Sequence, residues 1–304
     1  MAGRLLLFDA PSLWFRAFYG APPTITSPDG TPVNAVRGFL DYVARQLRER
    51  RPDRFVAALD HDWRPAWRVG LVPAYKLHRV ADDGGDGTPD LLGPQVDIIT
   101  DVLAAAGLAA VGAVDYEADD VIATLATRAD GPVDVVTGDR DLFQLVRDTP
   151  HPVRVIYTVD KMRAYGPAEV AAKYGIPGTS YADFALLRGD ASDGLPGVAG
   201  IGDKGAAALV SRFGGIAGIR AALAAGGSEG FPPGARLRLE RAADYLAAAE
   251  PVVRVVTDVE LPDADDRVPA APRDPARLVA LADRHGLDGP VERLLRALEA
   301  VAAG

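Results

Sequence analysis

Short apolar runs that end near an acidic residue recur along the first part of the chain. One extends from Leu5 to Asp9, a second from Phe55 to Asp60, and a third from Val133 to Thr137, with Asp139 two residues further on. Each run has the length and the continuous apolar character of a strand that is buried on both faces. The pattern therefore predicts three strands of one sheet, each followed by a carboxylate.

Between these runs the apolar residues recur at helical spacing. Val36 to Leu47, Val96 to Leu103 and Val121 to Ala126 each place apolar side chains on one face of a helix, and Gly107 ends the second helix. Strands that alternate with helices predict a parallel sheet with helices on both faces. The expected fold class is therefore α/β.

Beyond residue 175 the pattern changes to helices separated by glycine- and proline-rich turns. Helices are predicted from Tyr181 to Leu187, Lys204 to Phe213, Arg236 to Ala249 and Val291 to Leu298. Val252 to Val259 is compatible with a returning strand or with an extended segment. An exposed loop is predicted over 263–276, and a mobile one over the acidic, glycine-rich stretch 82–87. We expect an α/β domain over residues 1–175 and a helical domain with a returning tail over residues 176–304.

The composition narrows the class of protein. The chain has 304 residues, of which 48% are hydrophobic, so it can bury a sizeable core. It contains no cysteine, which excludes disulfides, thiolate metal sites and cysteine nucleophiles. The N-terminal apolar run is too short for a signal peptide and no stretch is long enough to span a bilayer, so the expected location is the cytoplasm. The formal net charge of −9 argues against a nucleic-acid partner unless bound cations neutralise many of the acids.

The acidic residues are placed to meet at one edge of the predicted sheet. Asp9, Asp60 and Asp139 each follow a strand, and the carboxyl ends of parallel strands border one crevice. More carboxylates stand at the start of a helix and at the start of the helical half, namely Glu117, Asp119, Asp120, Asp141, Asp190 and Asp193. Taken singly, each of these acids can also be a turn residue or a helix cap.

Considered together, so many carboxylates in one crevice would repel each other strongly without cations. Oxygen ligands suit Mg²⁺ or Mn²⁺ and not zinc. Two such ions roughly 3.5–4 Å apart activate a water and stabilise the leaving oxygen in phosphodiester cleavage. The acids therefore indicate two-metal-ion hydrolysis of a phosphodiester, with separate capping roles as the alternative.

Two further segments are candidates for phosphate contacts. From Gly197 to Lys204 a glycine-rich turn opens a helix whose first N–H groups can hold a phosphate, although an ordinary helix–turn–helix joint has the same pattern. Tyr75, Lys76 and Arg79 combine an aromatic ring with two cations, which suits a base and a phosphate, with a solvated basic turn as the alternative. Arg16, among aromatic residues, either serves the site or accompanies a packed aromatic group.

In their order along the chain, these motifs resemble the 5′ nuclease domain at the front of bacterial DNA polymerase I and its stand-alone relatives. The motifs that carry the resemblance are Phe8-Asp9, Arg16 to Tyr19, Leu59-Asp60, Tyr75-Lys76 with Arg79, Tyr116 to Ile122, Thr137 to Asp141, and Gly189 to Asp193 through Lys204. The resemblance implies a PIN-like 5′-3′ exonuclease core with a helical arch, followed by a helical domain with a helix-hairpin-helix (H3TH) DNA-binding motif. Because the chain ends where the polymerase would begin, a free-standing nuclease is expected.

The resemblance also implies a role for each candidate residue. It assigns Asp9, Asp60, Glu117 and Asp119 to one metal ion, and Asp120, Asp139, Asp141, Asp190 and Asp193 to a second and possible third ion. It gives Lys76, Arg79 and Arg16 catalytic roles, the first two on the arch above the scissile phosphate, and it gives Tyr75 a base to stack on. It places duplex DNA on Gly200, Gly202 and Lys204, and a K⁺ ion on the carbonyls of Val198 and Ile201.

The implied activity is that of a structure-specific 5′-3′ exonuclease and flap endonuclease in DNA replication and repair. Its expected substrates are 5′ flaps, nicked or gapped duplexes and 5′ overhangs, and it is expected to act as a monomer, away from membranes. The alternatives are an RNA-cutting nuclease of the related α/β domain, which usually lacks a C-terminal helical hairpin, and a non-catalytic DNA-structure binder. The chain departs from the family pattern at Ala10-Pro11, Gly194 and Gly205, none of which removes a carboxylate or an arch cation.

Overall fold

A computed structural model describes residues 3–80, 89–226 and 229–303. The acidic, glycine-rich stretch 82–87 lies outside these residues. The description below therefore covers both predicted domains and the first part of the predicted arch.

One six-stranded sheet forms the centre of the first half. Its strands are β1 (Leu5–Asp9), β2 (Arg54–Ala58), β3 (Ala109–Val111), β4 (Val133–Thr137), β5 (Val153–Tyr157) and β6 (Arg163–Tyr165). They lie in the order β3-β2-β1-β4-β5-β6, and every neighbouring pair is parallel except β5 and β6. The predicted parallel sheet is confirmed, and its three predicted strands occupy the centre. Crossover connections through helices keep these central strands parallel.

Thirteen helices are present in the described ranges. They are α1 (Ala10–Gly20), α2 (Asn34–Arg50), α3 (Ala66–Leu71), α4 (Gly93–Ala106), α5 (Ala118–Arg128), α6 (Pro167–Tyr174), α7 (Tyr181–Arg188), α8 (Asp203–Phe213), α9 (Ile216–Ala224), α10 (Ala235–Arg241), α11 (Ala243–Val253), α12 (Pro275–His285) and α13 (Asp288–Ala302). Within the described ranges none of these helices alone meets the length and apolarity needed to cross a bilayer. Only α8 with α9, bent by 76° between them, meets that test as a pair, and by length and composition alone.

The sheet separates two apolar cores. Leu6 and Phe8 of β1 pack with α1, α2 and α4, whereas Leu5 and Leu7 pack on the other side with α5. This alternation is expected for consecutive residues of a strand. The first core also includes α12 and α13, which pack on α4 and α2. The second core continues into α7, α8 and α11, so the helical half is built on one face of the sheet.

The chain returns from the helical half along α5 as an extended segment and not as a strand. The Val256 N–H donates to Asp120 Oδ1 at 2.8 Å, and the Val259 N–H donates to Thr124 Oγ1 at 3.2 Å. Further on, the Phe55 N–H donates to the Asp266 carbonyl at 2.7 Å. Part of the predicted exposed loop 263–276 is thus paired with the edge of β2. The predicted helix Arg236 to Ala249 is wrong in one respect, because it is divided at residue 242 into α10 and α11.

The predicted helical arch is only partly helical within the described residues. After β2 the chain forms the six-residue helix α3, then a turn, then a 3₁₀ turn over Leu77–Arg79. Pro73 ends α3, because the residue before a proline is pushed out of the helical region, and Val72 is extended at φ −135° and ψ 94°. The cations of the arch therefore lie on an irregular segment that rests on the acid cluster.

Candidate metal centre

A cleft opens at the carboxyl ends of the central strands, where the sequence predicted it. It has a volume of about 660 Å³ and is lined by Asp9, Asp60, Glu117, Asp119 and Asp139, together with Lys76 and Arg79. The parallel order β2-β1-β4 explains why these acids lie together, because it brings the ends of all three predicted strands to one edge of the sheet. The start of α5 supplies Glu117 and Asp119 from the side.

Backbone and hydroxyl donors fix the carboxylates at the strand ends. Asp9 caps α1 by accepting from the Ser12 N–H at 3.2 Å, and its other oxygen accepts from the Thr137 hydroxyl. Asp60 accepts from the Ala118 N–H at 2.7 Å, which joins the end of β2 to the first turn of α5. These bonds orient the carboxylates before any ligand binds.

Burial and mutual repulsion disfavour the charged forms of these acids. Burial raises the pKa of Asp9 to about 7, against the lowering effect of the Thr137 hydroxyl, and Asp139 and Asp60 raise it further. Burial and Glu117 likewise raise the pKa of Asp60 to about 6. The pKa of Asp119 is raised well above its ordinary value by burial, and then by Asp139 and Asp9. Without cations the cluster therefore takes up protons near neutral pH.

A second group of acids adjoins the first through Asp139. Burial raises the pKa of Asp193 to about 6, and burial together with Asp139 and Asp193 raises that of Asp141 well above its usual range. Asp190 accepts from Arg188 Nη2 at 3.0 Å and from the Ser192 N–H at 2.9 Å. One oxygen of Asp141, Oδ1, is buried and has no hydrogen-bond partner in the described part of the chain. The nine predicted acids thus form two adjoining groups, with one exception at Asp120.

Asp120 does not face the cleft, which corrects its assignment to the second metal ion. Arg68 donates two hydrogen bonds to it, at 2.8 and 2.7 Å, and the Asp120 side chain is fully buried. The N–H groups of Val256 and Glu117 donate to the same carboxylate. Both oxygens are therefore committed to joining α3, α5 and the returning segment.

We predict that Asp120→Asn destabilises the fold but retains metal-dependent cleavage. The change leaves the buried Arg68 cation only partly paired, so the free energy of unfolding should fall by about 1.5–3 kcal/mol. Urea unfolding would measure the loss, and single-turnover cleavage at 20 °C would measure activity. Complete inactivity of a fully folded variant would return Asp120 to the metal site.

Tyr75 is also corrected, because it is not available for stacking on a base. Its side chain is 3% exposed, and its hydroxyl donates to Glu117 Oε1 at 2.8 Å. Arg68 Nη1 lies 3.2 Å from the same oxygen. The other Glu117 oxygen accepts from the ammonium of Lys76. Tyr75 therefore positions a carboxylate, and three side chains of the arch segment contact the Glu117 carboxylate.

The two arch cations lie on the acids themselves. Lys76 is 8% exposed and adopts a left-handed backbone conformation at φ 49°, which is uncommon for a residue other than glycine. Arg79 donates to Asp193 Oδ1 at 3.0 Å and to the Ser192 carbonyl at 2.5 Å. Arg16 is exposed on α1 and is absent from the cleft lining, so the geometry gives no support for its catalytic role.

The predicted hairpin turn precedes α8 in the helical half. Gly200 has φ +78°, and Gly202 and Lys204 are exposed at the start of α8. The Ile201 N–H donates to the Val198 carbonyl at 2.9 Å, so one of the two carbonyls predicted for K⁺ already has a partner inside the turn. The turn thus presents glycine backbone and a lysine to solvent.

The oxygen donors of the cleft fit a hard divalent cation, although no site is preformed in the described part of the chain. Across residues 3–80, 89–226 and 229–303, no group of three or more His, Asp or Glu side chains is arranged as it stands to hold a metal ion. Lys76 and Arg79 instead pair with Glu117 and Asp193. The set remains suited to Mg²⁺ or Mn²⁺, since it consists of carboxylates and includes Asp141 Oδ1, which has no hydrogen-bond partner among the described residues.

Three residues of the site's surroundings escaped the sequence reasoning. Arg68 and Thr137 hold predicted acids, and Tyr181 is fully buried next to the second group. A lone arginine after a tryptophan or a threonine at the end of a strand carries no periodic signal. Only the pairing of distant segments shows what these side chains contact.

Two sequence profiles of one family together match most of the chain. The 5′-3′ exonuclease N-terminal resolvase-like domain matches residues 4–175, and the 5′-3′ exonuclease C-terminal SAM fold matches residues 176–276. The two matches meet where the character of the sequence changes.

Named relatives agree with these matches. A 5′-3′ exonuclease of Streptomyces coelicolor is 53% identical over 303 residues, covering 97% of this chain and all of the relative. One of Mycobacterium tuberculosis is 49% identical, covering 98% and 99%. A DNA polymerase I of Mycobacterium bovis is 41% identical over 219 residues, which are 70% of this chain and 23% of the polymerase.

Solved structures of viral nucleases share the fold at low identity. A T5 5′-exonuclease with bound zinc ions has a TM-score of 0.63 at 18% identity, with 97% of this chain and all of that chain covered. A T5 flap endonuclease in complex with DNA and metal ions has a TM-score of 0.62 at 16% identity, with 99% and 100% covered. The likeness extends over both halves of the molecule.

Proposed function

The chain belongs to the 5′-3′ exonuclease family, and from this membership we propose that it is a structure-specific 5′-3′ exonuclease and flap endonuclease of DNA replication and repair. The observation that carries the proposal is the cleft in which carboxylates from three strand ends and α5 lie beneath two cations. A cleft of this kind combines ligands for divalent ions with positive charge for a phosphate. Its substrate would be the phosphodiester backbone near a DNA 5′ end.

In this proposal the carboxylates hold Mg²⁺ or Mn²⁺. Asp9, Asp60, Glu117 and Asp119 would hold one ion, and Asp139, Asp141, Asp190 and Asp193 would hold the remaining one or two ions. Bound divalent ions supply a polarised water and stabilise charge on the leaving oxygen. Lys76 and Arg79 add positive charge at the phosphate once they leave Glu117 and Asp193. Tyr75 and Arg68 orient Glu117 throughout.

The helical half would hold the duplex next to the cut. Gly200, Gly202 and Lys204 form an exposed turn at the start of α8, and free N–H groups with a nearby cation suit a phosphate. A K⁺ ion on the carbonyls of Val198 and Ile201 belongs to the same proposal. The proposed substrates are 5′ flaps, nicked or gapped duplexes and 5′ overhangs, bound by a monomer.

Cleavage of 5′-labelled DNA tests the proposed function directly. A 5′ flap, a nicked duplex, a 5′ overhang and a single-stranded RNA of equal length would be compared in Mg²⁺, Mn²⁺ and EDTA. We expect cleavage of the DNA structures that depends on the divalent ion and stops in EDTA. Faster cleavage of the RNA would favour the related RNA-cutting class, and binding of DNA without cleavage in either ion would indicate a non-catalytic binder.

We predict that Lys204→Ala weakens duplex binding without slowing the chemical step. Loss of one phosphate contact should reduce the slope of log affinity against log salt by about 1. Fluorescence anisotropy of a labelled duplex from 50 to 200 mM KCl would give the slope. Arg45→Ala, a change on the outer face of α2 at a residue paired with Glu49, serves as the control. An unchanged slope for Lys204→Ala would remove this lysine from the DNA surface.

A further inference from the structure

Tyr181 carries a buried hydroxyl that no described residue contacts by a hydrogen bond. It is the first residue of α7, its side chain is fully buried, and its hydroxyl has no hydrogen-bond partner in residues 3–80, 89–226 and 229–303. Leaving a buried polar group unpaired costs about 1–3 kcal/mol. Phenylalanine would supply the same ring without this cost, so packing alone does not account for a tyrosine here.

Aromatic neighbours hold the Tyr181 ring in place. The ring lies edge-on to Phe143 and Tyr174, with centroids 5.6 and 5.2 Å away, and is tilted against Phe184 at 5.9 Å. Close packing on several sides leaves no room for the ring to turn towards solvent. The hydroxyl therefore keeps one position inside the molecule.

The Tyr181 ring packs on Phe143 of the 3₁₀ turn Asp141–Leu145, and that turn begins with an acid of the second group. Burial raises the pKa of the Tyr181 hydroxyl, and Asp141 is the largest charged influence that adds to the rise, while Arg188 and Arg140 oppose it. Asp141 Oδ1 is likewise buried without a partner. The main-chain N–H of Asp141 donates to Asp139 Oδ1 at 2.8 Å, which connects the turn that carries Asp141 to an acid of the cleft. A phenol donor and a carboxylate acceptor, each buried and without a partner among the described residues, thus lie on two elements that pack together.

We infer that Tyr181 is a positioning residue of the second metal subsite. Its hydroxyl holds a water that connects it to Asp141 when a divalent ion is bound beside that carboxylate. Mg²⁺ and similar ions retain several waters, and outer groups that orient a ligating carboxylate raise metal affinity. The inference rests on the proposed function, because it requires that the acids bind divalent ions.

Metal titration of the full chain tests this role. Mn²⁺ alone would be titrated calorimetrically into wild type, Tyr181→Phe and the control Tyr174→Phe, whose partly exposed tyrosine lies in the same aromatic group. For Tyr181→Phe we expect the weaker Mn²⁺ dissociation constant to rise at least about tenfold, with the tighter one unchanged. The Mn²⁺ concentration for half-maximal cleavage should rise in parallel, with the KM for DNA unchanged. The melting temperature of the metal-free variant should equal or exceed that of wild type.

Other results of the same experiment would overturn the inference. Identical Mn²⁺ titrations for wild type and Tyr181→Phe would show that the hydroxyl has no part in metal binding. A lower melting temperature with unchanged metal binding would show a structural role alone. If wild type itself bound no Mn²⁺ and cleaved no DNA, the proposed function would fail and the inference with it. Wild type that binds ions and cleaves, beside an unaffected variant, would reject Tyr181 only.

Discussion

Asp9→Asn is expected to abolish cleavage and, in the absence of metal, to make the protein more stable near pH 8. The side chain is 4% exposed at the centre of the cleft, and asparagine keeps its shape and its ability to cap α1. It loses the negative charge that a divalent ion requires. Removing one group that stabilises the reacting charge lowers turnover by about 10²–10³-fold or more, so a loss of at least that size should appear in single-turnover assays with Mg²⁺.

The stability change follows from the raised pKa of Asp9. The pKa rises from 3.8 to about 7 in the folded protein, so the folded state binds the proton more tightly than the unfolded chain does. The stability that this proton uptake contributes is present below about pH 4 and is lost as pH rises through 7. At about 1.4 kcal/mol per pKa unit, ionisation of Asp9 lowers the free energy of unfolding by roughly 4 kcal/mol at pH 8. Asparagine does not ionise, so the variant avoids this loss.

Urea unfolding in EDTA at pH 5 and pH 8 would measure the difference. Wild type should lose stability between the two values, and Asp9→Asn should lose less. Asp134→Asn is the matched control, because Asp134 is also a buried acid of the sheet but pairs with Arg4 at 2.8 Å. That control should lose stability and keep its activity. Normal turnover by Asp9→Asn would falsify the metal assignment, whatever the unfolding data show.

The fold was predictable where burial is continuous along the sequence. The central strands β1, β2 and β4 and the helices α2, α4 and α5 are all apparent as apolar runs or helical periods. Three strands were missed. β3 and β6 have three residues and are too short to carry a period, and in β5 Arg154 interrupts the apolar run. The break between α10 and α11 has no glycine or proline to mark it. At such positions tertiary packing decides the local structure.

The site residues that could be predicted from the sequence are those that lie at strand ends. The rule that parallel strands end at one edge placed Asp9, Asp60 and Asp139 in the cleft. The roles that the family resemblance implied for Asp120 and Tyr75 were wrong, because the partners of these side chains are remote in sequence. Arg68, for example, is 52 residues before Asp120. A pattern shows that an acid follows a strand, but not which cation will neutralise it. That choice depends on the packing of α3 against α5.

Lys76→Met is expected to have opposite effects on metal binding and on cleavage. The ammonium of Lys76 pairs with Glu117 and lies 3.4 Å from the Trp63 carbonyl. Burial lowers its pKa, but Glu117 and Tyr75 more than compensate, so the net pKa is raised and the side chain stays charged. In the metal-free protein the Lys76 ammonium neutralises the Glu117 carboxylate, as a bound divalent ion would.

A divalent ion and Lys76 therefore compete for one carboxylate. An ion that binds Glu117 displaces the Lys76 ammonium, and the freed ammonium can then contact the phosphate. By mass action the Lys76–Glu117 ion pair therefore weakens metal binding. Methionine preserves much of the length and the apolar stem of lysine but removes the charge. We expect Mn²⁺ to bind Lys76→Met more tightly than wild type, while cleavage slows by about 10²–10³-fold because charge at the phosphate is lost.

Calorimetric titration with Mn²⁺ and single-turnover cleavage would separate these two effects. Lys161→Met is the matched control, because Lys161 is also a lysine in the left-handed region, at φ 52°, but is exposed and outside the cleft. It should change neither quantity. Weaker Mn²⁺ binding by Lys76→Met would mean that the lysine organises Glu117 for the ion and does not compete with it. Tighter binding with slower cleavage would establish that Lys76 leaves Glu117 when metal binds, so that the displaced lysine becomes available to the substrate.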